Sequence, residues 1–201
     1  MDSTLVVVSG APSSGKTTIG KQLATGLGFP FLGKDSLKET LFDTLGSKDR
    51  DWSRQLGKAS IELLYLFAAA ELSAGRSCIV ESNFKREWDR NRLLDMRNTN
   101  GARILNVHCH AQSEVLFDRF RKRANGTDRH PGHCDASNLA EFREALSQPW
   151  PPLLDSSEGL VEIDTTDFGR LSIGAILDEV RKRITEQSNG GAAERLRAPH
   201  S

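Results

Sequence analysis

The chain is expected to be an α/β protein with a five-stranded parallel sheet flanked by helices. Two observations predict this. Short apolar runs alternate with amphipathic helical patterns along almost the whole sequence. The first junction of strand to helix, Val8 to Thr18, fits G-x-x-x-x-G-K-[ST] at every fixed position.

The elements follow in order. Leu5 to Val8 is an apolar run, and after the Gly10-Ala11-Pro12-Ser13-Ser14-Gly15 loop Ile19, Leu23 and Leu27 share one helical stripe. Phe29 to Leu32 reads as a second strand ending near Lys34-Asp35. Ser36 with Glu39 three residues on is a capping box, so a helix is expected to start at Ser36 with Leu37, Leu41 and Leu45 on its apolar face. This puts Asp35 at a strand-to-helix corner, on the same rim as the glycine-rich loop. From Trp52, the positions Leu56, Ala59, Leu63, Phe67 and Ala70 step by three or four to Gly75, and Trp52, Leu63 and Phe67 are read as core. These two helices form an insertion larger than a crossover needs, and residues 36–75 are expected to be an acceptor-binding flap.

Cys78 to Val80 is a third strand leading into Glu81-Ser82-Asn83-Phe84, and a helix through Trp88, Leu93 and Leu94 is expected to end in the turn Asn98 to Gly101. Ile104 to Val107 is the fourth strand, followed by a helix from Ser113 through Val115, Leu116 and Phe120. The Gly- and Pro-punctuated stretch from Gly126 to Asp135 reads as a lid loop, with residues 119–137 as the lid. Leu139, Phe142 and Leu146 mark a further helix, Pro149-Trp150-Pro151-Pro152 a stiff connection, and Leu160 to Ile163 the fifth strand. The last helix carries Ile173, Ile176, Val180 and Ile184. Residues 1–186 are expected to form one domain, and 187–201 a disordered tail.

Lys plus Arg and Asp plus Glu both number 27, so no overall field draws the chain to nucleic acid or to an anionic membrane. No apolar run is long enough to cross a bilayer, and with the first strand starting at Leu5 no leader is expected, so a cytoplasmic protein is expected, monomer or homodimer. Cys78, Cys109 and Cys134 form no C-x-x-C and are read as reduced thiols. His108, Cys109, His110, His130, His133 and Cys134 raise a zinc reading, which the absence of any standard ligand spacing disfavours. His130 and His133 are instead read as lid anchors or acceptor contacts.

The loop carries the chemistry. Glycines at Gly10 and Gly15 let backbone N–H groups turn inward, and the helix that follows adds the positive end of its dipole, so the residues Gly10 to Thr18 should cradle phosphate. Lys16 can reach the terminal phosphates, and the Thr17 hydroxyl is placed to ligate magnesium. Asp35 and Glu81 end neighbouring strands on the phosphate side. Asp35 is read as the base for an acceptor hydroxyl, Glu81 as a magnesium contact through water, and Asn83 beside it as an acceptor contact. Arg119 and Arg123 share a helical face just before Arg129, and the three guanidinium groups could clamp phosphates and stack on a base.

The chain thus resembles the small P-loop kinases that include the chloramphenicol phosphotransferase-like, zeta-toxin-like and polynucleotide-kinase-like proteins. The resemblance rests on Gly10 to Thr18, Lys34-Asp35-Ser36-Leu37, Glu81 to Phe84, Asp118-Arg119 with Arg123, and Ile163 to Thr166. It implies a nucleoside-kinase-like P-loop NTPase fold, use of ATP and Mg2+, and transfer of the γ-phosphate to a hydroxyl of a small molecule such as an antibiotic, a sugar or a nucleoside. It also implies that Asp35 is the base and that Lys16, Arg119 and Arg123 stabilise the moving group. The third strand of such proteins more often ends in Asp where this chain has Glu81. A polynucleotide 5′-hydroxyl kinase and a nucleotide-dependent ATPase switch are the alternatives; zero net charge weighs against the first, and the flap-sized insertion and the lack of an N-K-x-D motif against the second.

Overall fold

The computed structural model describes residues 3–126, 130–133 and 139–195. Its strands are β1 (Thr4–Ser9), β2 (Phe31–Gly33), β3 (Cys78–Glu81), β4 (Arg103–His110) and β5 (Leu160–Asp164). They form one sheet in the order β2-β3-β1-β4-β5, with every neighbouring pair parallel. The helices are α1 (Lys16–Leu27), α2 (Lys34–Leu45), α3 (Arg50–Ser73), α4 (Arg86–Asn100), α5 (Ser113–Ala124), α6 (Leu139–Ala145), α7 (Ser156–Gly159) and α8 (Ile173–Arg195). Among the described residues no helix is long and apolar enough to cross a membrane.

Parallel strands buried on both faces need apolar side chains in continuous runs, and β1 supplies Leu5 to Val8 with none more than 1% exposed. Because strand side chains alternate, Leu5 and Val7 join Leu64, Ala68 and Leu72 of α3 on one face, while Val6 and Val8 join Ile19 and Leu23 of α1 and Val180 of α8 on the other. Each such side chain contributes about 1.5–3 kcal/mol by leaving water. The C-terminal ends of the central pair β1 and β3 therefore sit between two packed helical layers, fixed in register by Val8 opposite Glu81.

Several local expectations need correction. The second strand is Phe31–Gly33, and α2 starts at Lys34, with extended Gly33 as its N-cap and no side-chain cap; the Ser36 capping box is not used, and Asp35 lies in the first turn of the helix. Pairing of Gly33 with Glu81 holds the strand open to that point, so the helix begins where the sheet stops. On α3 the buried stripe is Ser53, Leu56, Ser60, Leu64, Tyr65, Ala68 and Leu72, displaced from the apolar reading, and Leu63 is 40% exposed. Buried hydroxyls allow the displacement: Ser60 Oγ donates to Leu56 O at 2.7 Å and Ser53 Oγ to Gly132 O at 3.1 Å. Trp52 is only partly buried and donates through its indole to Gly46 O, while Leu45 is 52% exposed and Phe42 is the buried residue of α2. The helix α4 continues to Asn100, so Asn98 and Thr99 are helical. The last helix is described through Arg195, past the expected end near Gln187.

Candidate active site

Between β1 and α1 the backbone closes a cradle. Gly10 has φ 140°, Ser13 φ 65° and Gly15 φ 78°, and Ser14 N–H donates to Ala11 O at 3.2 Å. A Cβ on Gly15 would stand 2.1 Å from Phe168 Cε2, so glycine is required there for space as well as for conformation. Gly15 is also the N-cap of α1 and provides no side-chain cap, which leaves the first N–H groups of the helix and its positive dipole end to the loop. The buried hydroxyls of Ser13 and Ser14 have no hydrogen-bond partner among the described residues. A tight turn with inward donors and unsatisfied hydroxyls fits a phosphate chain.

Lys16 is 9% exposed; its Nζ donates to Ala11 O at 3.0 Å and lies 4.0 Å from Glu81 Oε1. The Thr17 hydroxyl donates to Glu81 Oε2 at 3.0 Å. Burial lowers the pKa of Lys16 and raises that of Glu81, and the attraction between the two opposes both shifts. The hydroxyl and carboxylate oxygens of this pair are the hard donors that magnesium prefers, so the donor set fits that ion.

Across the loop, Arg119 donates from Nη2 to Thr165 O at 2.7 Å and Thr166 O at 3.2 Å, and its guanidinium stands 5.5 Å from the Phe168 ring centre. Thr165 is fully buried and donates to Ser14 O at 2.9 Å, which ties the segment after β5 to the cradle. The strand-end Asp164-Thr165-Thr166 was legible in the sequence, but the clamp of Thr165 on the loop and the packing of Phe168 under Gly15 were not. A small hydroxyl residue directly after an apolar strand was the only available signal.

A cavity of about 600 Å³ opens from the cradle. Pro12, Ser13, Gly15, Lys16, Thr17 and Thr18 line it from the loop side. Asp35, Glu81, Asn83, Arg119, Arg123 and His133 line it too, so the candidate residues of four elements converge on one space. Gly10, Ala11 and Ser14 do not line it; Gly10 backs onto Cys109 O, where a Cβ would stand at 2.1 Å. Lys34, Lys38, Arg50, Arg54 and Lys85, to which the sequence reading gave no role, also line this cavity. Arg129 and Cys134 lie outside the described residues.

His130 stands apart from the cavity lining. Its Nδ1 accepts Gly132 N–H at 3.1 Å, so Nε2 carries the proton toward Asp43 Oδ1 at 3.1 Å, and the ring stacks on Phe42. His133 is buried beside it with Nε2 2.9 Å from Glu39 Oε1. The turn Pro131–His133 is thus fastened to α2 by both rings and to α3 by Ser53. In β4, Cys109 faces the α1 and α8 side in the core, while His108 and His110 stack on each other at 6.2 Å.

The parallel sheet with a phosphate cradle at the end of β1 is a P-loop NTPase fold. The AAA_33 family model, described as an AAA domain, matches residues 5–149, and the chain belongs to that family. It is similar to a protein from Chloroflexus aurantiacus j-10-fl provisionally described as a kinase, with 38% identity, TM-score 0.83, and coverage of 91% of this chain and 99% of that one. At the level of fold it is similar to a gluconokinase from Sinorhizobium meliloti 1021 (18% identity, TM-score 0.54, 95% and 97% covered). The same holds for the Mycobacterium tuberculosis APS kinase solved with AMPPNP and APS (16% identity, TM-score 0.56, 92% and 98% covered). No curated protein matches the sequence.

Proposed function

We propose that the chain is an ATP- and magnesium-dependent kinase that transfers the γ-phosphate to a hydroxyl of a small molecule. The observation that carries this reading is that Asp35 lines the same cavity as Lys16 and Thr17. An ATPase switch needs a phosphate cradle, but it has no need of a further carboxylate, Asp35, in the wall of the space that opens from it. The similarity to proteins named as kinases supports phosphoryl transfer.

In this reading residues 36–75 form the acceptor flap and residues 119–137 the lid, of which 127–129 and 134–137 lie outside the described residues. Lys16 exchanges its contact with Ala11 O for phosphate oxygens, and Arg119 and Arg123 add charge where it develops in transfer. Thr17, with Glu81 behind it, would hold magnesium, which supplies neutralisation of the phosphate charge. Asp35 orients the acceptor hydroxyl and takes its proton as the oxygen attacks. The absence of net charge on the chain favours a small acceptor over a polynucleotide, and a cytoplasmic monomer or homodimer remains the expectation.

The test is ADP release with ATP and magnesium across hydroxylated small molecules, nucleosides, sugars, antibiotics and short oligonucleotides, with Lys16→Ala as the blank. Release stimulated by an acceptor supports the kinase. Release indifferent to every acceptor while ATP is bound would overturn it in favour of a switch.

A further inference from the structure

The cavity is far more basic than the chain. The protein has no net charge, yet eight Lys and Arg side chains line the cavity against three carboxylates. Of those carboxylates, Glu141 pairs with Arg50, and Glu81 accepts from Thr17 beside Lys16. A magnesium–nucleotide complex carries about two negative charges. Lys16, Arg119 and Arg123, on the cradle and α5, already balance them. The remaining cations lie on α2, on α3 and just after β3, away from the Arg119 clamp on the segment after β5.

Among the described residues two of these cations, Lys34 and Lys85, form no ion pair, and the carboxylate whose field reaches Lys34, Glu81, is shared with Lys16. Lys34 is half-buried, and its Nζ reaches only the amide oxygen of Asn83, at 3.5 Å. Lys85 is half-buried with its Nζ 4.8 Å from the Trp88 ring centre and 5.3 Å from that of Trp150. The rings fix the ammonium in place and leave its N–H donors unused. Lys38 lies one turn from Lys34 on α2, where its Nζ donates to Ser53 Oγ at 2.9 Å. An ammonium group held half out of water without an ion pair, as at Lys34 and Lys85, gains from a ligand anion.

We infer that the acceptor is itself an anion, a small hydroxylated molecule whose carboxylate or phosphate group docks on Lys34, Lys38 and Lys85 while its hydroxyl faces Asp35. This rests on the kinase reading and narrows it. A neutral sugar or nucleoside would leave Lys34 and Lys85 without an ion-pair partner.

The experiment has two arms. In the first, ADP release is measured with hydroxy acids and phosphate monoesters beside neutral polyols and nucleosides of matched carbon skeleton. The anionic member of each active pair is expected to show a KM at least tenfold lower. Lys34→Gln and Lys85→Gln should each raise that KM about tenfold and leave the KM for ATP within twofold. In the second arm, acetate and inorganic sulfate are titrated by calorimetry into protein saturated with magnesium and AMPPNP, so that the cradle is filled. Binding that weakens in both variants is expected, and the stronger of the two probes distinguishes a carboxylate from a phosphate-like group. Equal use of neutral acceptors, with KM unmoved by the variants, would overturn the inference and leave the kinase standing. Anion binding that weakens in the variants without any stimulated ADP release would support the anion site and overturn transfer. Absence of anion binding together with inactivity of every acid would overturn the inference.

Discussion

The Thr17 hydroxyl donates to Glu81 Oε2 at 3.0 Å, joining the first turn of α1 to the last residue of β3. With its proton directed at the carboxylate, the hydroxyl oxygen keeps its lone pairs for a cation, and the carboxylate orients it.

Glu81→Gln keeps an acceptor oxygen for Thr17 and removes the charge. Apparent magnesium affinity, read from ADP release against magnesium concentration, is expected to fall about 10–100-fold. Nucleotide binding without magnesium should change little. An unaltered magnesium profile would reduce Glu81 to a packing partner of Thr17.

Asp35→Asn tests the base. It retains the shape of the side chain in the first turn of α2 and loses the ability to take a proton. Its kcat should fall about 10²–10⁴-fold with the Kd for ATP nearly unchanged, as seen by calorimetry. Simultaneous loss of ATP binding would instead give Asp35 a role in the nucleotide site or in folding.

The loop after β1 was legible because its motif dictates a backbone shape, and β1 and β3 were legible because burial on both faces demands unbroken apolar runs, whereas the edge strand β2 is only partly buried and starts two residues later than its apolar run. The start of α2 was not legible. Ser36 and Glu39 form a good local cap, and the sheet pairing of Gly33 with Glu81, some fifty residues away, overrides it. The buried face of α3 was misread for a related reason. Ser53 and Ser60 look like surface residues until their backbone partners are known, and one of those, Gly132 O, is far along the chain. The basic wall of the cavity was hidden because Lys34, Arg50 and Lys85 belong to different elements and meet only in the fold.

Gly132→Ala probes the turn that brings His133 to the cavity wall. A Cβ there would stand 2.6 Å from the Phe42 ring, which is 3% exposed and wedged between the His130 and His133 rings, so it has little room to yield. A loss of about 1–3 kcal/mol is expected, seen as a Tm lower by several degrees. Adding Phe42→Leu should recover part of it. A Tm equal to that of the wild type would mean that the turn does not rest on Phe42 in solution.

His108 sets an acid limit on stability. It is 3% exposed, and burial first, then the neighbouring His110, lower its pKa from 6.5 to about 4. The hydrogen bonds agree with a neutral ring. Asn106 Nδ2 donates to Ser9 Oγ at 2.8 Å, so the Ser9 proton points to His108 Nδ1 at 3.1 Å, and that nitrogen is an acceptor. In the unfolded chain the imidazole takes up a proton below about 6.5, whereas in the fold it resists until about 4. The contribution is therefore complete above 6.5 and is lost as pH falls through that window, by about 2–4 kcal/mol at its lower end. His108→Gln keeps an acceptor for Ser9 and cannot titrate. Denaturant melts of wild type and variant from pH 7 to pH 4 should show the wild type losing that much more stability than the variant, and parallel losses would mean that His108 is protonated in the fold.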